Sequence, residues 1–229
     1  MAPNKKTARL AGLFFLLMIV FGLFAELFFR QKVFVPNDAA ATVSNIMANG
    51  FVYRIGIVSD IFMSLSYLFT ALALYQLLVS VDRNLAQLMV LFASAGCVLL
   101  LSNILNELAP LSLLSAGTES GVFTDGQLQF MVMSSYDTFN HGYMIGQVFF
   151  ALWVLPLGLL IWRSKFIPKA FGVLFLVEVV GGMLSVAVHF LSPVVSIETV
   201  LLLPGIVAEF AFLGFLLFRG INESRLVTA

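Results

Sequence analysis

The sequence predicts an all-α polytopic membrane protein, a bundle of six transmembrane helices with both termini in the cytoplasm. Three observations carry that prediction. Of 229 residues, 61% are hydrophobic and 10% charged, against about 25% charged in a soluble domain, and the mean hydropathy is +1.04. Six stretches supply the roughly 20 mainly apolar residues needed to cross a hydrocarbon core. These runs are continuous rather than alternating, which selects helices over a barrel. A soluble enzyme domain, a nucleic-acid binder and a disordered scaffold are excluded together. The 12 basic and 12 acidic residues cancel, so no polyelectrolyte signal is present. A single cysteine, Cys97, excludes an internal disulfide framework and a cysteine-based metal site.

The spans are expected at about residues 10–29, 55–79, 85–108, 140–162, 170–191 and 200–218, within one integral membrane domain covering 1–229. The first begins behind Lys5, Lys6 and Arg9, in the manner of a signal peptide. Glu26, Arg30 and Lys32 follow it without a small-residue cleavage site directly behind, and Ala39-Ala40-Ala41 lies too far downstream, so the helix reads as retained. After it, Pro36-Asn37-Asp38 starts a short helix through Met47, with Asp38 as cap. The second and third spans are joined by a short turn, Ser80 to Asn84. Thr124 and Gln127 have capping-box spacing, so the fourth helix can begin near Asp125 and protrude from the bilayer. Pro156 predicts a kink in that helix, and Gly142 and Gly146 give it a small face for close packing. Pro168 precedes the fifth span, where Gly181, Gly182 and Ser185 make a second such face.

Basic residues set the orientation. With the N-terminus inside, Lys5, Lys6, Arg9, Arg83, Arg163, Lys165, Lys169, Arg219 and Arg225 are cytoplasmic, and Arg30, Lys32 and Arg54 are outside: nine against three. Trp162 suits an anchor at the inner interface. There is no internal repeat of the kind that builds inverted-repeat transporters, and no Walker loop, nucleophile elbow or dinucleotide fingerprint.

Ionisable groups inside spans are costly and face a bundle interior or a water-filled cavity. Glu26 and Arg30 end the first span, Arg54 and Asp60 open the second, and Asn103, Asn106 and Glu107 close the third. Asp137, Asn140 and His141 open the fourth, and His189 closes the fifth. All converge on one layer of the outer leaflet; only Glu178 and Glu209 sit nearer mid-membrane. One reading is structural: Glu26 and Arg30 have the favourable order of an i,i+4 pair, Arg54 neutralises Asp60 or Glu107, and the asparagines bridge helices. A second is a divalent-metal site of Asp137, His141 and His189, with Glu107 or Asp60 activating water. Bis-imidazole haem ligation by the two histidines is a third. A proton relay through Glu178 and Glu209 is a fourth.

Several segments, in order, carry a resemblance: Arg9-Leu-Ala-Gly-Leu13, Tyr53-Arg54-Ile-Gly56 with Asp60, Ala73-Leu-Tyr75-Gln-Leu-Leu78, His141-Gly-Tyr143-Met-Ile-Gly146 with Phe149-Phe150, Pro168, Gly172 and Glu209. They resemble the bacterial membrane family described as the domain of unknown function DUF4386, over nearly the whole chain. Ala151 stands where a glycine often follows the paired phenylalanines. The resemblance implies a six-helix bacterial inner-membrane protein, brings no established activity, and draws attention to Arg54, Asp60, His141 and Glu209. The expected function is small-ligand binding, sensing or an accessory role at an outward-facing polar cavity. The alternatives are an intramembrane metal-dependent hydrolase and a small proton-coupled carrier. The lipid bilayer is the one partner implied.

Overall fold

The computed structural model describes residues 4–120, 123–191 and 195–221, and every regular element in them is helical. Arg225, counted above as cytoplasmic, lies outside the described residues. The helices are α1 (Lys5–Val33), α2 (Ala39–Ala48), α3 (Gly50–Leu78), α4 (Arg83–Ser120), α5 (Asp125–Arg163), α6 (Lys169–Leu191) and α7 (Val195–Gly214, continued by a π-helical turn at Phe215–Arg219). Six are long and apolar enough to cross a membrane; α2 is the short exception.

Side-chain caps set four of the helix starts. Asn4 Oδ1 accepts from Thr7 N at the start of α1, and Asp82 Oδ1 accepts from Asn84 N and Leu85 N at the start of α4. Asp38 Oδ1 accepts from Ala41 N at 2.8 Å, so α2 carries the cap expected of it. The residue before that cap, Asn37, has φ of 60°, a left-handed conformation that asparagine tolerates better than most residues. Thr124 and Gln127 exchange the reciprocal bonds of a capping box, and α5 begins at Asp125, well before residue 140. Likewise α4 runs past Leu108 and through Pro110. A proline removes a donor from the preceding turn; in that turn Glu107 O accepts from Tyr53 Oη at 2.8 Å. The helix also continues through Pro156.

The chain divides into two compact units. The larger comprises Met1–Leu16, Ser66–Val98 and Met144–Ala229. Its aromatic residues interlock: Tyr67 stacks on Phe150 at 4.5 Å and meets Trp153 edge-on, while Phe212 receives Phe15, Phe171 and Phe175. Glycines bring its helices close. A Cβ at Gly172 would press on the α5 backbone at Trp162, and one at Gly181 on the α7 carbonyl of Leu201. Such small-residue contacts replace the hydrophobic driving force that lipid cannot supply. Arg163, the last residue of α5, pairs with Asp82 in the turn ahead of α4 at 2.5 Å, in a position exposed enough to contribute little.

The smaller unit comprises Leu17–Leu65 and Leu99–Tyr143. Its apolar core gathers Phe29, Phe34, Ile46, Tyr53, Ile57, Ile104, Leu114 and Val132. Phe34 stacks on Tyr136 at 3.6 Å, and Phe29 meets Tyr53 edge-on. α2 is tied to the end of α1 by Val35 N donating to Thr42 Oγ1 and Asn45 Nδ2 donating to Val33 O. Gly56 lies directly against Phe29, where a Cβ would overlap the ring and its own Cβ. Gly56→Ala should therefore lower stability by about 1–3 kcal/mol through overpacking, despite alanine's better helix propensity. Thermal unfolding in detergent checks this, with a smaller penalty expected when Phe29→Ala is already present.

Candidate functional site

The site is built from the smaller unit's most polar helix end. Residues Ala25–Arg30 of α1 form a π-helical turn, in which Gln31 N–H bonds back to Glu26 O. One extra residue in a turn rotates the remainder of the helix by about 100°, and single π turns are frequent at functional sites. Here Phe29, Arg30 and Val33 are buried, while Gln31 and Lys32 stay outside.

Arg30 is the centre. Its Nη1 lies 2.6 Å from Asp60 Oδ2 on α3 and 3.2 Å from Glu107 Oε1 on α4. Its Nη2 adds a longer bond to Asp60 Oδ1, and its Nε donates to Glu26 Oε2 at 2.9 Å. The guanidinium also sits over the Phe139 ring of α5, 5.5 Å from the centroid, a cation–π contact that strengthens when water is absent. The Arg30, Asp60 and Glu107 side chains are 9%, 5% and 2% exposed, whereas Glu26 is 48% exposed. Around them, Asn103 Nδ2 donates to Phe139 O and Asn106 Nδ2 to Asn103 Oδ1. Gly142 leaves room for the Asn103 side chain, which a Cβ there would displace. Four helices thus meet at one buried cation.

Of the residues marked in the sequence, Glu26, Asp60 and Glu107 are brought together here, and Asn103 and Asn106 surround them. The neutralising role expected of Arg54 falls to Arg30; Arg54 is exposed on α3. The reason is helical phase: Tyr53, Gly56, Ile57 and Asp60 share the buried side of α3, and residue 54 points away from it. Asp137 and His141 are exposed on α5 of the same unit, and His189 is part-buried in the other unit, edge-on to Phe190. Among the described residues, no group of three or more His, Cys, Asp and Glu is arranged to hold a metal ion. Asp60 and Glu107, the expected water-activating carboxylates, are engaged by Arg30 instead. Glu178 and Glu209 belong to the larger unit, Glu178 packing against Gly205 of α7. Arg30 had a legible signal: a cation four residues after an acid, at the same predicted depth as Asp60 and Glu107.

A separate groove of about 420 Å³ opens between α4 and α5 in this unit. Ala109, Ser112 and Leu113 line one wall, and Phe130, Met131, Ser134 and Ser135 the other.

These features define a multi-pass helical membrane protein with an internal ion cluster and no recognisable catalytic constellation among the described residues. The chain belongs to the family described as the domain of unknown function DUF4386, whose model matches residues 10–220. No curated protein and no solved structure matches it.

Removing one partner of a buried ion pair strands the other charge, at a cost of about 3–5 kcal/mol. Arg30→Gln should therefore destabilise the protein by that order, while exposed Arg54→Gln should stay within about 0.5 kcal/mol of the native chain. Melting curves of the two purified variants in the same detergent decide between them.

Proposed function

We propose that this protein is a multi-pass protein of the bacterial cytoplasmic membrane, with both termini cytoplasmic, that binds a small amphipathic molecule in a sensing or accessory role. The supporting observation is the α4–α5 groove. It begins directly after Glu107 on α4, so the ion cluster gives its wall a rigid base. The lining offers three serine residues beside Leu113, Phe130 and Met131 and carries no charge. A pocket that is mostly apolar with a few polar groups suits a neutral ligand with one hydroxyl or carbonyl head and a short apolar body. A formally charged head would find no counter-ion in that lining.

A proton-coupled carrier is the second reading. It is favoured by Glu178 Oε2, a buried oxygen with no hydrogen-bond partner among the described residues. Metal-dependent hydrolysis has no comparable observation behind it.

The ligand reading is tested by thermal shift in lipid nanodiscs with a panel of neutral monoacyl amphiphiles. A ligand at about 100 times its Kd should stabilise the native chain by about 2.7 kcal/mol. Ser134→Trp, which fills the groove from an exposed position, should abolish that shift. An equal shift in both proteins, or none in the native chain, would contradict the reading.

A further inference from the structure

We infer that Asp60 and Glu107 form a proton-binding site, in which one proton is shared between the two carboxyl groups against the guanidinium of Arg30. The count of charges leads there. Arg30 Nη1 serves both acids, at 2.6 Å and 3.2 Å, so two carboxyl groups crowd one fixed positive charge. The third acid, Glu26, is about half exposed and can be solvated on its free side. Full ionisation would leave an uncompensated negative charge in a dry interior, the state that burial penalises most.

A second observation is independent of that count. Glu107 Oε2 is buried and has no hydrogen-bond partner among the described residues. An ionised carboxylate can only accept, whereas a protonated carboxyl also donates. Asp60 Oδ2 and Glu107 Oε1 meet the same Arg30 nitrogen, which makes the two carboxyl groups neighbours. A proton on Glu107, donated toward Asp60, leaves Asp60 as the carboxylate that pairs with Arg30 at the shorter distance. It makes the buried trio neutral. Facing the pair are Arg30 and Glu26 from α1, Tyr53 on α3 and Tyr136 on α5, with Asp137 and His141 following on α5. Of these only Arg30 carries a fixed positive charge.

Losing the proton places two carboxylates on one guanidinium and weakens the hold of α3 and α4 on α1. The folded site keeps its proton at a pH where the unfolded chain has already lost it, so stability falls as pH rises from the ordinary carboxyl range and levels off once the site itself releases the proton. A proton here is independent of any occupant of the α4–α5 groove.

Infrared spectra of the full chain in lipid nanodiscs, recorded from acid to alkaline pH, read the carbonyl stretch of protonated carboxyl groups. At neutral pH a component should be present that is lost in Glu107→Gln and retained in Asp137→Asn. In parallel, the native melting temperature should fall as pH rises from the acid side and level off where the carbonyl component disappears. Glu107→Gln copies the shape and the donor of the protonated acid. It should match the native melting temperature on the acid side and lose this part of the fall as pH rises, so that it melts no lower than the native chain at neutral pH. A spectrum unchanged by both Glu107→Gln and Asp60→Asn would overturn the assignment. So would a Glu107→Gln protein that melts as low as Arg30→Gln or fails to fold, since the carboxylate would then be needed ionised. A native melting temperature that rises with sodium at fixed ionic strength would give the surplus charge to a metal cation and overturn the proton.

Discussion

A guanidinium keeps its proton in any environment a protein can offer, so burying Arg30 obliges the surrounding helices to bring carboxylates to it. That constraint orders the smaller unit. Asp60 must come from the buried side of α3, about three turns from its start, and Glu107 from α4 at matching depth. α5 supplies the Phe139 ring over the guanidinium and the backbone oxygen that Asn103 binds. Alternative registers of α1, α3 or α4 would move an acid away by one helical turn and take a buried partner from the cation. Buried ion pairs are weak evidence of stability in themselves, because desolvation offsets much of the attraction. Their effect here is to exclude the wrong packings.

Apolar contacts supply the rest of the fit. Phe29 precedes Arg30 in the same π turn and lies against Gly56, one turn before Asp60. The ring and the ion pair thus fix the same two helices at neighbouring points. Tyr53 bonds to Glu107 O near Pro110, so a side chain of α3 steadies the α4 turn that presents the Glu107 carboxyl. In the larger unit no comparable charge is paired inside, among the described residues. There, close backbone approach at Gly172 and Gly181 and the aromatic cluster around Phe212 hold the helices, and Glu178 sits against Gly205.

Much of this was legible in the sequence, because lipid leaves few options. Continuous apolar runs marked the six spans, Asp38 and the Thr124/Gln127 pair marked two helix starts, and Glu26, Asp60 and Glu107 stood out as acids at one depth. What the sequence did not carry was helical phase across separate helices. Arg30 and Arg54 look equivalent as cations near Asp60, yet only a three-dimensional register shows that one faces inward and the other outward. The π turn that accompanies the burial of Arg30 has no composition signature. The ends of α4 and α5 were underestimated for a different reason: they are held by packing within the unit, through residues such as Leu114 and Val132, rather than marked by a continuous apolar run. Asp137, His141 and His189 share a residue chemistry with metal sites, but residue type does not report arrangement, and among the described residues no group of three or more His, Cys, Asp and Glu is placed to hold a metal ion.

The central claim is that Arg30 holds α1 to α3 through Asp60. A double-mutant cycle with Arg30→Gln and Asp60→Asn, measured by unfolding in detergent, isolates that pairwise term. The account predicts a coupling of about 1.5–3 kcal/mol, and near zero for a control cycle pairing Arg54→Gln with Asp60→Asn. Additivity of the Arg30 and Asp60 substitutions within about 0.5 kcal/mol would contradict it.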